Sequence, residues 1–323
     1  MGVGLIPFFG KRKRGDQMVG VAFLRAGIAV ARVVRSRSQP PRLTLCDFRA
    51  CEAHEYGAVL EELVKAHRLK GLPCVAVMEQ GSYQLLQMEA PDVPDSELRS
   101  ALRWSIRDLI DFHIDDAVLD VFDLPADAQR GGSNMMNTVV ARSSLIKERV
   151  EKIESSGLDI HAIDIPELAL RNITSMLPED GAGVALLAME HDQEQILITR
   201  QKLLYLARNL DVPLLVEDLA DSGDEFISAE QQQLLDTLIL EIQRSQDYYE
   251  RFYAQPPLQT LMVAANGSSI SGMTSYIAQN MGLATSELDL SSQLPGIEQF
   301  EAEKRAKSLM AIGAALRIVQ EES

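Results

Sequence analysis

Apolar and polar residues change their period several times along this chain, and each change marks an element. From Met18 to Val34 (MVGVAFLRAGIAVARVV) two β-rich runs meet near Ala26-Gly27, which predicts a hairpin. Arg42 to Arg49 (RLTLCDFR) alternates apolar with polar, so one face of a strand enters a core. Ala58 to Arg68 (AVLEELVKAHR) repeats its apolar positions at helical spacing, and Cys74 to Met78 (CVAVM) is a short buried strand. The order so far is β-β-β-α-β.

A second unit starts near Tyr83, where YQLLQMEA reads as a strand. In PDVPDSELRSALRWSIRDLI, Pro94 and Asp95 followed by Glu97 signal a helix start, and Leu98, Leu102, Ile106 and Leu109 are spaced to face the core. Asp116 to Leu124 and Asn137 to Ala141 read as strands around a loop at Gly131 to Ser133. Ser143 to Ser155 is an amphipathic helix that Gly157 closes, and Asp159 to Ile163 is a strand. Residues 83–166 are therefore expected to form a β-α-β-β-α-β module inserted after a first lobe of residues 18–82.

The second lobe, 167–323, opens with the helix ALRNITSML near Leu168. Strands follow at Gly183 to Met189, Gln195 to Thr199 and Lys202 to Arg208, then a polar loop from Asp221 to Ala229. A long helix, Ala229 to Tyr253, places Leu234, Leu235, Leu238 and Ile242 at core spacing. Gln259 to Ala264 is strand-like, Gly267 to Gly272 turn-rich, and Met273 to Met281 helical. Glu301 to Val319 is expected to be one last helix that crosses back towards the first lobe. The order β-β-β-α-β thus occurs twice, which points to two similar lobes around a cleft.

Composition narrows the function classes. Forty-seven acidic residues against 31 basic ones give a net charge of −16, which repels phosphate and argues against nucleic-acid binding. Cys46, Cys51 and Cys74 lack metal-ligand spacing, and His54, His67, His113, His161 and His191 are scattered, so no metal site is expected. No apolar run reaches the roughly 18 residues of a membrane-spanning helix. Residues 1–17 form a tail in which an apolar patch precedes the basic run Lys11, Arg12, Lys13 and Arg14. That order is wrong for a secretory signal, so the expected compartment is the cytoplasm. The run suits contact with an anionic inner leaflet, at about 1 kcal/mol per basic residue.

The doubled β-β-β-α-β plan with an insert in its first lobe resembles the actin-like ATPase superfamily. ALRWSIRDLIDFHIDDAVLDVFDL, Ala101 to Leu124, is similar to the segment of the PilM and FtsA group in which an Arg-Trp helix runs into a turn and an acidic strand. VVARSSLIKERVEKIESSGLDIHAIDIPELAL is similar to the stretch that closes the PilM insert. EIQRSQDYY, Glu241 to Tyr249, and AIGAALR, Ala311 to Arg317, resemble two further helices of that family. RDLIDF and DAVLDVFDLPA incline the resemblance towards the PilM-like component of mannose-sensitive haemagglutinin (MSHA) pilus systems. The cytoplasmic part of a type II secretion L protein is a more distant resemblance.

This resemblance implies an α/β actin-like fold and a nucleotide site built on two hairpins, each with an Asp followed two residues later by a Gly. The carboxylates organise Mg²⁺ and its waters, and the glycines let backbone N–H groups approach phosphate. Placed on the first hairpin, these positions fall at Ala22 and Leu24; on the second, at Ala188 and Glu190. The third nucleotide element reads Ala265-Asn266-Gly267, where Asn266 and Gly267 replace part of a glycine run. Asp192 and Asp164 are the carboxylates that remain as substitutes. A degenerate site follows: no catalysis, with ATP and Mg²⁺ disfavoured as cofactors, against the alternative of a nucleotide-binding or weakly hydrolysing ATPase.

The remaining candidates concern contact rather than chemistry. Trp104, the sole tryptophan, reads first as a core aromatic and, flanked by Arg103 and Arg107, as the edge of a groove. Asp108, Asp111, Asp115, Asp116 and Asp120 read as a solvated acidic face that also suits a basic peptide. The resemblance implies a cytoplasmic scaffold of a type IV pilus assembly platform. Its partner would be the N-terminal peptide of an inner-membrane PilN-like protein, and its indirect partners the pilus assembly ATPases. An FtsA-like membrane-tethered polymer is the third class, but the sequence ends in ALRIVQEES rather than in an amphipathic anchor.

Overall fold

The computed structural model describes residues 17–36, 38–125, 135–190, 193–210, 212, 229–265 and 272–318. They fall into two units. Residues 1–169 and 308–323 belong to the first, and 170–307 to the second.

In the first unit a five-stranded sheet has the order β3-β2-β1-β4-β8. Its strands are β1 (Gln17–Leu24), β2 (Gly27–Ser36), β3 (Gln39–Ala50), β4 (Pro73–Val77) and β8 (Asp159–Asp164). The pairs β1/β2 and β2/β3 are antiparallel, whereas β1/β4 and β4/β8 are parallel. Period-two alternation sorts β1 between two faces. Val19, Val21 and Phe23 join a core with Leu60, Leu63 and Val64 of α1 (Tyr56–Ala66) and Ile146, Val150 and Ile153 of α3 (Ser143–Ser156). Gly157, at φ +91°, ends α3 as the sequence predicts.

A separate three-stranded sheet has the order β5-β7-β6, from β5 (Tyr83–Glu89), β6 (Ala117–Asp123) and β7 (Met135–Arg142), all pairs antiparallel. Leu102 and Ile106, in and just after α2 (Asp95–Ser105), pack with Leu119, Val121, Met136 and Val140. The expected module of residues 83–166 is corrected here. Strand β8 is hydrogen-bonded into the large sheet and α3 packs into its core, so the separate sheet draws only on residues 83–142. Leu109 also departs from expectation: the helix ends at Ser105, and this side chain is 54% exposed in the turn beyond.

The second unit repeats the strand order as β11-β10-β9-β12-β13. Its strands are β9 (Val184–Glu190), β10 (Gln193–Arg200), β11 (Leu203–Leu210), β12 (Thr260–Ala265) and β13 (Ala284–Glu287). The antiparallel and parallel pairings recur in the same places. Helix α4 (Pro166–Thr174) leads into it, α5 (Ala229–Phe252) joins the sheet halves, and α6 (Met273–Met281) precedes β13. Tyr205 of β11 meets Tyr249 of α5 and the following Tyr253 edge-on, at 5.5 and 5.4 Å. Helix α5 is not core on every side, because Leu240, Tyr248 and Phe252 are exposed.

The expected single helix at the end of the chain is two. Helix α7 (Ala302–Lys307) belongs to the second unit and α8 (Leu309–Ala315) to the first. They break at buried Ser308, whose hydroxyl donates to the Asp47 carbonyl at 3.3 Å. Helix α8 lies so close to β1 that a Cβ on Gly20 would sit 1.8 Å from the Ala311 carbonyl oxygen. Gly313 makes a similar approach to Ala169, where an added Cβ would stand 2.3 Å from the carbonyl oxygen.

Candidate functional site

The first hairpin turns at Arg25-Ala26, so Leu24 pairs with Gly27 and Ala22 with Ala29. Ala22 is wholly buried. Across the sheet, register sets Phe48, Ala29, Ala22, Val77 and Asp164 in one row. Asp164 is the one carboxylate in this row, and it is occupied. Its Oδ2 accepts from Arg317 Nη1 at 2.7 Å and its Oδ1 from the Ile165 N–H at 3.1 Å, with no side-chain exposure. Arg317 follows α8, and Arg35 Nη2 donates to the carbonyl of Ala315 at the helix end at 2.9 Å and to that of Arg317 beyond it at 3.2 Å. Burial pulls the Arg35 pKa down.

The other face of the hairpin is closed by groups the sequence did not single out. The Tyr56 hydroxyl donates to the Leu24 carbonyl at 2.7 Å. The Arg149 guanidinium lies 4.9 Å from the Phe23 ring centre and 5.1 Å from that of Tyr56. Glu148 pairs with Arg149 at 3.1 Å. Burial, and then the nearby Glu79 charge, push the Tyr56 phenol up to about 12. Arg149 sits at helical spacing with Ile146 and Val150, and that position on a buried face was the available signal for it.

In the second unit Ala188 pairs with Gln195 and Glu190 with Gln193. Ala22 stands two residues before the last pair of its hairpin, Leu24 with Gly27, and Ala188 two before Glu190 with Gln193, so the two occupy equivalent register positions. Ala188 is buried, and its row continues to Ala264 on one side and to Gln195 and Asn209 on the other. Gln195 Nε2 donates to Asn209 Oδ1 at 3.3 Å. Asp192, Asn266 and Gly267 lie outside the described residues.

The interaction candidates divide. Arg103 is spent within the small sheet's own module, donating to the carbonyls of Ala117 at 3.0 Å and Ile114 at 2.5 Å. Trp104 is not a core aromatic: it is 74% exposed, because the side of α2 holding Leu102 and Ile106 is the side that packs. Arg107 is exposed beside it. Asp111 is exposed and loosely paired with Arg142 at 3.7 Å, and the same guanidinium sits 4.5 Å from the Phe112 ring centre. Asp115 is exposed near His113, at 3.4 Å. Asp120 stands apart from the acidic face. It is buried against Arg99 at 2.8 Å, and burial raises its pKa although Arg99 opposes the shift. Trp104, Arg107, Asp111 and Asp115 are therefore all exposed, the first in α2 and the others in the segment between α2 and β6.

Among the described residues no group of His, Cys, Asp and Glu could hold a metal ion, and no helix is long and apolar enough to cross a membrane. All three cysteines are free thiols.

No protein-family model and no curated protein matches the chain. Solved structures do. The PilM-PilN type IV pilus biogenesis complex matches with a TM-score of 0.70 at 18% identity, over 93% of this chain and 97% of that one. The cytoplasmic domain of EpsL, an inner-membrane component of the type II secretion system of Vibrio cholerae, gives 0.46 at 13% identity, over 77% and 82%. A Bacteroides thetaiotaomicron protein with an actin-like ATPase fold and unknown function gives 0.48 at 8% identity, over 86% and 94%. At 18% identity the likeness to the first is one of fold. The chain has the α/β actin-like ATPase fold with two mixed sheets, as PilM does.

Proposed function

We propose that this chain is a PilM-like scaffold of a pilus or secretion assembly platform, in its finer form the MSHA type of type IV pilus. It works at the cytoplasmic face of the inner membrane by holding the N-terminal peptide of a PilN-like membrane protein. The observation that carries this reading is the likeness to the PilM-PilN complex, which extends over nearly the whole of both chains. The exposed Trp104 with Arg107, Asp111 and Asp115 supports it, since an aromatic anchor with an acidic rim suits a peptide of mixed apolar and basic character. The basic run Lys11 to Arg14 would add attraction to anionic lipid.

The same proposal denies nucleotide turnover. A magnesium nucleotide needs carboxylates to order the metal's waters and open backbone to approach phosphate. At the two equivalent positions the chain offers the buried methyl groups of Ala22 and Ala188, and Leu24 stands beyond the first. The carboxylate of Asp164 is already neutralised by Arg317. These residues do not fit the group, so no chemical step is assigned to it.

The test is calorimetry of the full chain with the N-terminal cytoplasmic peptide of the bitopic membrane protein encoded beside it. One-to-one binding with Kd in the micromolar range, about −8 kcal/mol, is expected. No heat at about 100 μM peptide would reject the scaffold reading.

A further inference from the structure

Helix α5 presents an exposed stripe that its own unit leaves uncovered. Its buried side carries Leu235, Leu238, Ile242, Ser245 and Tyr249. The opposite side places Leu240, Arg244, Tyr248 and Phe252 four residues apart, a single ridge of the helix surface. Leu240 is 54% exposed, Tyr248 40% and Phe252 38%, and the last two rings stack at 4.9 Å and 12°. Asp247 and Arg251 flank the ridge and are exposed too, joined by a loose pair at 3.7 Å. Three large apolar side chains on one face exceed the scattered singles expected of a surface.

We propose that this face pairs with the same face of a second copy, the two α5 helices running antiparallel about a two-fold axis near Ser245 and Gln246. The charge pattern selects this occupant. Reflection about that point sets Arg244 of each copy against Asp247 and Tyr248 of the other, an acid–base contact and a cation over an aromatic ring, each made twice. It sets Leu240 against Arg251 and Phe252, so the apolar end of one ridge meets the aromatic end of its mate. Among the exposed residues of the ridge no like charges oppose; Glu241, level with Glu250 of the other copy, is buried and already paired with Arg208 and with Arg244 of its own chain. In a parallel pairing Arg244 would meet Arg244 and Asp247 would meet Asp247, so the antiparallel arrangement is the self-complementary one.

Area sets the strength. From their exposures, the three apolar side chains offer roughly 250 Å² per copy, about a third of the 800 Å² per partner of a standard interface. The pairing is therefore a weak, concentration-dependent dimer. Each copy carries a net charge of −16, so the charges as a whole repel. Salt screens that repulsion while leaving the apolar ridge intact, and the dimer tightens as ionic strength rises. This inference does not depend on the proposed function.

Sedimentation equilibrium of the full chain, from about 1 to about 300 μM and in low and high salt, tests it. The expected result is a mass rising from monomer towards dimer, with the midpoint moving to lower concentration in high salt. Leu240→Lys shifts that midpoint at least about tenfold upward, the scale of one interface anchor. Arg244→Asp and Asp247→Arg each weaken the dimer by opposing like charges, and the two together restore it. Circular dichroism and melting verify that the variants stay folded, as exposed positions should. A mass that stays monomeric throughout would overturn the proposal. So would a dimer that Leu240→Lys does not move, or a double charge swap as weak as either single one.

Discussion

Replacing Arg317 by methionine isolates what holds the end of the chain against the first sheet. Asp164 has no exposure, and Arg317 lies 2.7 Å from its Oδ2. Its other oxygen keeps only the Ile165 N–H, at 3.1 Å. Removing the guanidinium leaves a buried carboxylate with half its partners, which typically costs about 3–5 kcal/mol. In a unit of this size that loss lowers the melting midpoint by roughly 6–20 °C. Replacing both members, as Asp164→Leu with Arg317→Met, removes the charge along with its partner and should recover most of the loss. Calorimetric melting of the full chain measures the loss. A loss under about 1 kcal/mol for Arg317→Met, or a double variant no more stable than the single one, would refute the assignment of Asp164 to a structural pair.

Three further outcomes follow from the same geometry. Gly20→Ala should cost about 3 kcal/mol or more, because its Cβ would meet the Ala311 carbonyl oxygen at 1.8 Å; Gly71→Ala, at φ +77° in open space, should cost only about 1–2, and urea unfolding compares them. The Tyr56 phenol, raised from its ordinary 10 to about 12, favours the folded state in full below about pH 10, and that contribution is lost as pH climbs from 10 towards 12. Stability measured against alkaline pH should fall through that window, less steeply in Tyr56→Phe. Trp104→Ala, at a position 74% exposed, should leave stability within about 0.5 kcal/mol of the parent while weakening the partner peptide about tenfold or more by calorimetry.

Much of the architecture was legible because it is written in local period. The hairpin around Arg25-Ala26, helix α1, strand β4 and the Gly157 stop each follow from neighbouring residues. What local pattern does not contain is the sheet a strand will join. Strand β8 and helix α3 read as the close of the insert, yet β8 pairs with β4 from 86 to 87 residues away, and that pairing decides the boundary. Leu109 kept helical spacing after the helix had ended. Four-residue β13 is too short to show alternation, and only its pairing with β12 makes it a strand.

The candidate site was legible in the same uneven way. Ala22 and Ala188 were placed by the resemblance to a nucleotide fold with two hairpins, and the strand register sets them at equivalent positions. The partner of Asp164 was not found, since Arg317 lies 153 residues further on. Trp104 was assigned first to the core from its residue type, whereas the side it occupies on α2 depends on where the small sheet lies.

The claim at the centre of this account is that the chain holds a partner and does not work through nucleotide. A titration of the full chain with ATP and Mg²⁺ by calorimetry tests it most directly. The account predicts no saturable heat at nucleotide concentrations up to about 1 mM, where even binding worth about 4 kcal/mol would register. Saturation in the micromolar range would contradict it, and would mean that Ala22 and Ala188 do not remove the site.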